Sequence, residues 1–257
     1  MDEKIAELMK KKGWEKIAAL TAYDYPTAKL VEEASIDFIL VGDSLGVVVL
    51  GYESPLPVTM EEMLHHTRAV ARGARKTLII GDMPTNTYNT PSIALKNAKD
   101  FLAAGAHGVK IEGMKTDVVR ALVKDGIPVM SHLGLTPQTI QEYRVQGRDA
   151  EEGRRILGEA RALEEAGAFS MVLECIPESL GEKITKSVNI PTIGIGGGRH
   201  CDGQILVIND LLGLFDRYVP EFVRQYVNLR EEIRGALLKY RADIKEGDFP
   251  GKENVFH

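Results

Sequence analysis

Short apolar runs rich in β-branched residues alternate along this chain with longer segments whose apolar positions recur at helical spacing. The runs cover residues 17–21, 38–41, 78–81, 108–111, 129–131, 169–173, 192–195 and 205–208. Each is nearly continuous in apolar character, the pattern of strands buried on both faces in a parallel sheet. Residues 61–74 read as a helix with Met63, Leu64, Val70 and Ala71 available for one face. Residues 92–104 carry Ile93, Leu95, Ala98, Phe101 and Leu102 at helical spacing and stop at Gly105, a natural helix terminator. Residues 151–166 stop in the same way at Gly167. A last helical pattern runs from about 218 to 245, with Phe222, Val223, Tyr226, Ile233, Leu237 and Tyr240 recurring. It predicts a long C-terminal helix packed outside the main body or against another subunit.

Eight strands alternating with helices predict an α/β fold, a single closed (β/α)8 TIM barrel over residues 1–257, with an additional N-terminal helix and the long C-terminal one. The alternative is an open doubly wound sheet, but no GxGxxG opens the first helix. Hydrophobic residues make up 44% and charged residues 27%, so the chain can bury one large core. A net charge of -5 with no basic stripe argues against nucleic acid as a partner. No apolar run reaches the length of a membrane span, and no secretory leader pattern opens the chain. With Cys175 and Cys201 far apart and in no CxxC, both read as free thiols of a cytoplasmic protein.

In such barrels the chemistry gathers at the C-terminal ends of the strands. Here those ends carry Asp43-Ser44, Asp82, Lys110 with Glu112, His132, and Glu174. Asp43, Asp82 and Glu112 lie on consecutive strands, and on one rim they would repel each other unless a cation sat among them. A hard divalent ion such as magnesium fits three such carboxylates. Taken singly, each reads equally as a helix cap or as half of an ion pair. Lys110 and Glu112 are two residues apart and project from the same face of a strand. Lys110 is then either a holder of a substrate carboxylate or the partner of a neighbouring acid. His132 is either a donor to a substrate oxygen or a structural histidine. Glu174 follows a wholly apolar strand and is a candidate general base, or a rim salt bridge. The glycine-rich turn at residues 194–198 permits close approach of a ligand to the backbone, or simply a tight turn.

Several stretches in order resemble one family over nearly the whole chain. They are Thr21-Ala22-Tyr23-Asp24, GDSLG at 42–46, Gly51, Val58-Thr59, Gly81-Asp82-Met83-Pro84, Val109-Lys110-Ile111-Glu112-Gly113, HLGLTPQ at 132–138, Leu173-Glu174-Cys175-Ile176-Pro177, GIGGG at 194–198 and Cys201-Asp202-Gly203-Gln204. The series resembles the ketopantoate hydroxymethyltransferases. The chain departs from that pattern at Ser131, where the family has Gly, at Gly197, where it has Ala, at Arg199, and in the segment 83–88. The resemblance implies transfer of a hydroxymethyl group from methylenetetrahydrofolate to α-ketoisovalerate through a magnesium-stabilised enolate, giving ketopantoate for pantothenate. It implies one Mg2+ per subunit at Asp43, Asp82 and Glu112. It implies substrate contacts from Asp43, Ser44, Asp82, Lys110 and His132, with Glu174 as proton acceptor, in a homodecamer. Two other readings compete: a magnesium-dependent lyase on a similar barrel, and a non-catalytic barrel that binds a metabolite.

Overall fold

The computed structural model describes residues 2–139 and 144–256. Its contacts divide the chain into two compact units, Met1–Val207 and Ile208–His257. The first unit opens with helix α1 (Glu3–Lys10) and strand β1 (Ile17–Thr21), followed by α2 (Tyr25–Glu33), β2 (Phe38–Val41), α3 (Leu45–Val48) and α4 (Met60–Gly73). Next come β3 (Leu78–Asp82), α5 (Pro91–Ala103), β4 (Gly108–Glu112), α6 (Thr116–Lys124), β5 (Val129–Gly134) and α7 (Ala150–Glu165). It closes with β6 (Ser170–Glu174), α8 (Glu178–Ser187), β7 (Thr192–Ile195) and β8 (Gly203–Leu206). The eight strands form a closed barrel in sequence order, and β8 returns to pair in parallel with β1. The predicted closed barrel, rather than an open sheet, is what the chain adopts.

The strand period of two sorts each strand into an inner and an outer face. Phe38, Leu40, Leu78, Ile80, Met130 and Val172 join one buried cluster in the barrel interior. Ile5 and Leu8 of α1 belong to the same cluster, so the N-terminal helix closes the end where the strands begin. The outer positions meet helices: a Cβ on Gly81 would lie 2.3 Å from the Phe101 ring of α5. Two residues on from Ile80, Met130 and Val172 stand Asp82, His132 and Glu174, so the inner face turns from apolar to ionic towards the C-terminal rim.

Local chemistry sets the helix starts. Asp24, Thr59, Thr90 and Asp149 each accept a hydrogen bond from a backbone N–H of the first turn of α2, α4, α5 and α7. At α4 the cap is reciprocal, since Glu62 reaches back to the Thr59 N–H at 2.8 Å. Asp202, in the Cys201–Gln204 motif, is architectural. It accepts from Thr192 N and Oγ1 at 2.9 and 3.0 Å and pairs with Lys12 at 2.7 Å.

Several boundaries differ from the sequence reading by a residue or more, β5 running on to Gly134 among them, and two have a clear physical cause. The last strand begins at Gly203, two residues before the predicted 205, and Ile208 already starts the short helix α9 (Ile208–Leu211). The reason is contact: a Cβ at 203 would stand 2.6 Å from Ile17 Cβ, so glycine alone lets β8 begin there. In the second unit, the long helix α10 spans Leu229–Glu246, not 218–245. Pro220 lacks an N–H, and Asn228 caps the observed start by accepting from Glu231 N. No residue of α10 is buried. Among the described residues no helix is long and apolar enough to cross a membrane.

A very tight junction beside the rim is at Gly134, which ends β5 with φ +95°. A Cβ there would lie 2.1 Å from the Glu174 carbonyl oxygen. Gly134→Ala is expected to destabilise the protein by roughly 2–5 kcal/mol, the sum of left-handed strain and overpacking. Thr59→Ala is expected to cost about 1 kcal/mol through the lost cap. Urea unfolding of the two variants measures both; equal losses would contradict the assignment of Gly134.

Candidate active site

The inner face of the barrel delivers its ionic residues to one cavity of about 190 Å³. Asp43, Ser44, Asp82, Lys110, Glu112, His132 and Glu174, every residue singled out from the sequence, line it. Leu40, Val47, Val172, Ile195 and Ile205 supply the apolar walls. Strand register explains the convergence. Asp82 stands opposite Lys110, Glu112 opposite His132, and Gly134 opposite Glu174.

Lys110 sits at the centre and is 3% exposed. Its Nζ lies 2.9 Å from Asp82 Oδ1, 3.5 Å from Glu112 Oε1 and 3.2 Å from His132 Nδ1. His132 bridges two carboxylates, with Nδ1 3.3 Å from Glu112 Oε1 and Nε2 3.2 Å from Glu174 Oε2. Glu174 is the most open of the group, its side chain 17% exposed. The residue after it, Cys175, adopts φ +47°, a left-handed conformation unusual for a side-chain-bearing residue. That bend turns the chain away after β6, and Gln146 N–H donates to the Cys175 carbonyl at 2.8 Å.

Burial dominates the electrostatics. It raises the Asp43 carboxyl well above the usual range, and the charges of Asp82 and Glu112 push the same way. Burial likewise raises Asp82, against the opposing pull of Lys110. Burial would lower Lys110, but Asp82, Glu112 and Asp43 outweigh it and keep the ammonium charged. For Glu112, burial is outweighed by Lys110 and then His132, bringing the carboxyl down to about 2. For His132, burial and Lys110 are outweighed by Glu112 and Glu174, and the ring is lifted to about 9.

Among the described residues, four carboxylates thus face one lysine and one histidine, an excess of negative charge even with His132 protonated. Asp82 Oδ1 is buried and its close partner is the Lys110 ammonium, 2.9 Å away, an ion pair that leaves the oxygen without a well-formed hydrogen bond. Among the described residues, no three His, Cys, Asp or Glu side chains converge to enclose a metal on protein atoms alone. This donor set suits magnesium, which takes one or two carboxylates and fills its other positions with water and substrate oxygens. Asp43 and Asp82, the two acids that burial leaves in excess, are the residues fitted to hold it. Both Glu112 oxygens already have protein partners, Lys110 and His132 at Oε1 and the Gln138 N–H at Oε2.

Three polar residues of the site carried no role in the sequence reading. Tyr23 Oη lies 2.8 Å from Ser44 Oγ. Gln138 and Tyr88 are buried against Asp43 and Glu112. Gln138 ends the HLGLTPQ stretch, and Tyr88 ends the segment 83–88, so both lay within noted motifs. Apart from the segment 83–88, which brings Tyr88 to the site, the departures lie elsewhere. Ser131 occupies the outer face and donates from Oγ to the Ser170 carbonyl at 3.3 Å. Arg199 pairs with Glu178 at 2.6 Å on an exposed surface. A Cβ at Gly197 would meet the Leu173 carbonyl at 2.6 Å, so alanine there requires a backbone shift.

Comparison with known proteins shows the family and the fold. The family model described as Ketopantoate hydroxymethyltransferase matches residues 3–252. The 3-methyl-2-oxobutanoate hydroxymethyltransferase of Syntrophus aciditrophicus (strain SB) is 52% identical over 255 residues, covering 96% of this chain and 93% of that protein. The Enterococcus faecalis (strain ATCC 700802 / V583) protein of the same name is 51% identical, covering 94% of this chain and 90% of its own length. Among solved structures, a phosphonopyruvate hydrolase in complex with oxalate and Mg++ aligns with TM-score 0.63 at 13% identity, over 98% of this chain and 93% of that one. A 2,3-dimethylmalate lyase of the PEP mutase/isocitrate lyase superfamily aligns with TM-score 0.60 at 14% identity, over 100% of this chain and 91% of that one. At such identities the two structures speak to the fold alone.

Removing the central cation tests the electrostatic account. Lys110→Met strands Asp82 and Glu112 as buried charges and is expected to cost about 3–5 kcal/mol near neutral pH in metal-free protein. The stability that Glu112 gives the wild type is fully present above its ordinary value of 4.5 and is lost as pH falls towards about 2. The gap between wild type and variant therefore narrows over that window. Urea unfolding at several pH values reads it, and a gap that widened on acidification would contradict the account.

Proposed function

The chain belongs to the ketopantoate hydroxymethyltransferase family, and we propose that it forms ketopantoate for pantothenate synthesis with methylenetetrahydrofolate as one-carbon donor and one magnesium ion per subunit. The observation that carries the reading is the cavity itself. Lys110 and His132 stand among Asp43, Asp82, Glu112 and Glu174, under apolar walls, in a space sized for a metabolite of a few carbons.

Asp43 and Asp82 are the residues that would hold the ion, with Glu112 completing the acidic set beside them. When bound, the ion supplies Lewis-acid polarisation of the 2-oxo group and offsets the excess negative charge. Ser44 and Lys110 hold the 2-oxo acid, the Lys110 ammonium matching the substrate's negative oxygens. The branched alkyl group suits the apolar side of the cavity, where Leu40, Val172 and Ile205 stand. Glu174 removes the proton from C3, and the charge that passes to the 2-oxo oxygen is stabilised by Lys110 and His132. Water hydrolyses the N–CH2–N bridge of the donor to formaldehyde, releasing tetrahydrofolate. The C3 carbanion adds to the formaldehyde carbon, and the alkoxide formed takes back a proton from Glu174 to become the hydroxyl. The His132 contact to Glu174 keeps that carboxylate oriented towards the cavity. The family resemblance supports a homodecamer acting in the cytoplasm as part of the same proposal.

The test follows the C3 proton of 3-methyl-2-oxobutanoate by NMR in heavy water. Magnesium-dependent exchange is expected without any folate, and ketopantoate is expected once methylenetetrahydrofolate is added. Chelation should stop the exchange and added magnesium should restore it. Glu174→Gln should slow it by roughly a hundred- to ten-thousandfold; exchange at the wild-type rate in that variant would sink the role given to Glu174.

A further inference from the structure

Gln138 occupies a position that no assigned catalytic role explains. It lies on the loop after β5, is 5% exposed, and uses both its backbone and its side chain on the acidic set. Its backbone N–H donates to Glu112 Oε2 at 3.1 Å. Its side-chain Nε2 donates to Asp43 Oδ2 at 2.8 Å and to the Met83 carbonyl at 3.0 Å. Its Oε1 accepts from the Tyr88 hydroxyl at 2.5 Å. Tyr88, 4% exposed, accepts in turn from the Glu112 backbone N–H at 3.3 Å.

These partners fix the amide orientation, since two acceptors surround the nitrogen and a donor faces the oxygen. One residue, through its side chain and its backbone N–H, therefore ties together the exits of β2, β3 and β4. Each of those exits is a separate loop start: Asp43 follows β2 and Glu112 ends β4. Mutual repulsion would spread the two carboxylates unless something neutral and donating stood between them. Glutamine fits that place because its amide donates without adding charge. A lysine would neutralise the site, and a glutamate would worsen the repulsion.

We propose that Gln138, held by Tyr88, is a positioning residue that sets the orientation of Asp43 and Glu112 for divalent-cation binding. The inference rests on the reading of Asp43 and Asp82 as cation ligands, and it adds to that reading the device that orders Asp43, with Glu112 beside it, before the ion arrives. Residues that orient metal ligands typically change affinity by 10–100-fold when removed.

The experiment titrates Mn2+ into wild type, Gln138→Met, Tyr88→Phe and the double variant, reading free Mn2+ by EPR, with circular dichroism and thermal melting alongside. Gln138→Met is expected to weaken Mn2+ binding by roughly 10–100-fold at a temperature where the variant remains folded. Tyr88→Phe is expected to weaken it less, in the same direction. The double variant should match Gln138→Met alone, because Tyr88 acts through Gln138. A merely structural role would lower the melting temperature and leave the Mn2+ affinity of the folded protein unchanged; that result overturns the proposal. Multiplicative losses in the double variant overturn it as well. If Gln138→Met fails to fold, wild-type affinity in Tyr88→Phe overturns it on its own. Absence of Mn2+ binding by the wild type is a different outcome, which removes the metal reading and this inference with it.

Discussion

The constraint on which this structure turns is a buried charge imbalance. Among the described residues, Asp43, Asp82, Glu112 and Glu174 are gathered at one rim of the barrel, with Lys110 and His132 to offset them. In water such a cluster would cost little. In a cavity where Asp82, Lys110, Glu112 and His132 are each no more than 3% exposed, every unmatched charge is expensive. The protein meets that cost in two ways. Glu112 and His132 are bound into a network around Lys110, which pulls the acid down to about 2 and lifts the ring to about 9. Asp43 and Asp82 remain raised, and that residual demand for positive charge is the property a divalent ion would satisfy.

The barrel makes such a cluster tolerable by separating stability from chemistry along its axis. At the end where the strands begin, α1 and the inner residues of the strands form a continuous apolar cluster. Two to four residues further along the same strands, the inner face is ionic. Each strand contributes to both, so the hydrophobic core that fixes the register also fixes which charges meet. The register of β3, β4, β5 and β6 is therefore a functional quantity, since a slip of one residue would turn Lys110, Glu112 and His132 out towards the helices.

Much of this was legible from residues in order. The strands could be found because buried parallel strands are nearly continuous apolar runs. Their ionic exits stood out because an apolar run that merely turns has no use for Asp82, Glu112 or Glu174. Gln138 and Tyr88 were not assigned a role, because an amide and a phenol in a loop carry no pattern until their partners are known. Those partners are 95 residues away for Asp43 and 24 residues away for the Glu112 backbone. The start of β8 escaped for a related reason. Gly203 breaks the apolar pattern, and only its contact with Ile17 explains why a strand begins on a glycine. In the second unit, helical periodicity before residue 229 was real but did not form a helix there, because Pro220 and the Asn228 cap decide the boundary.

By itself the sequence determined the barrel class, the identity of the ionic residues and the strand ends on which they stand. Those follow from local period and from chemistry that each strand carries alone. The tertiary structure decided which charges face each other, which are neutralised, and which glutamine holds two of them in place. Those are properties of residues distant in the chain, and their energies depend on the dry cavity that only the closed barrel creates.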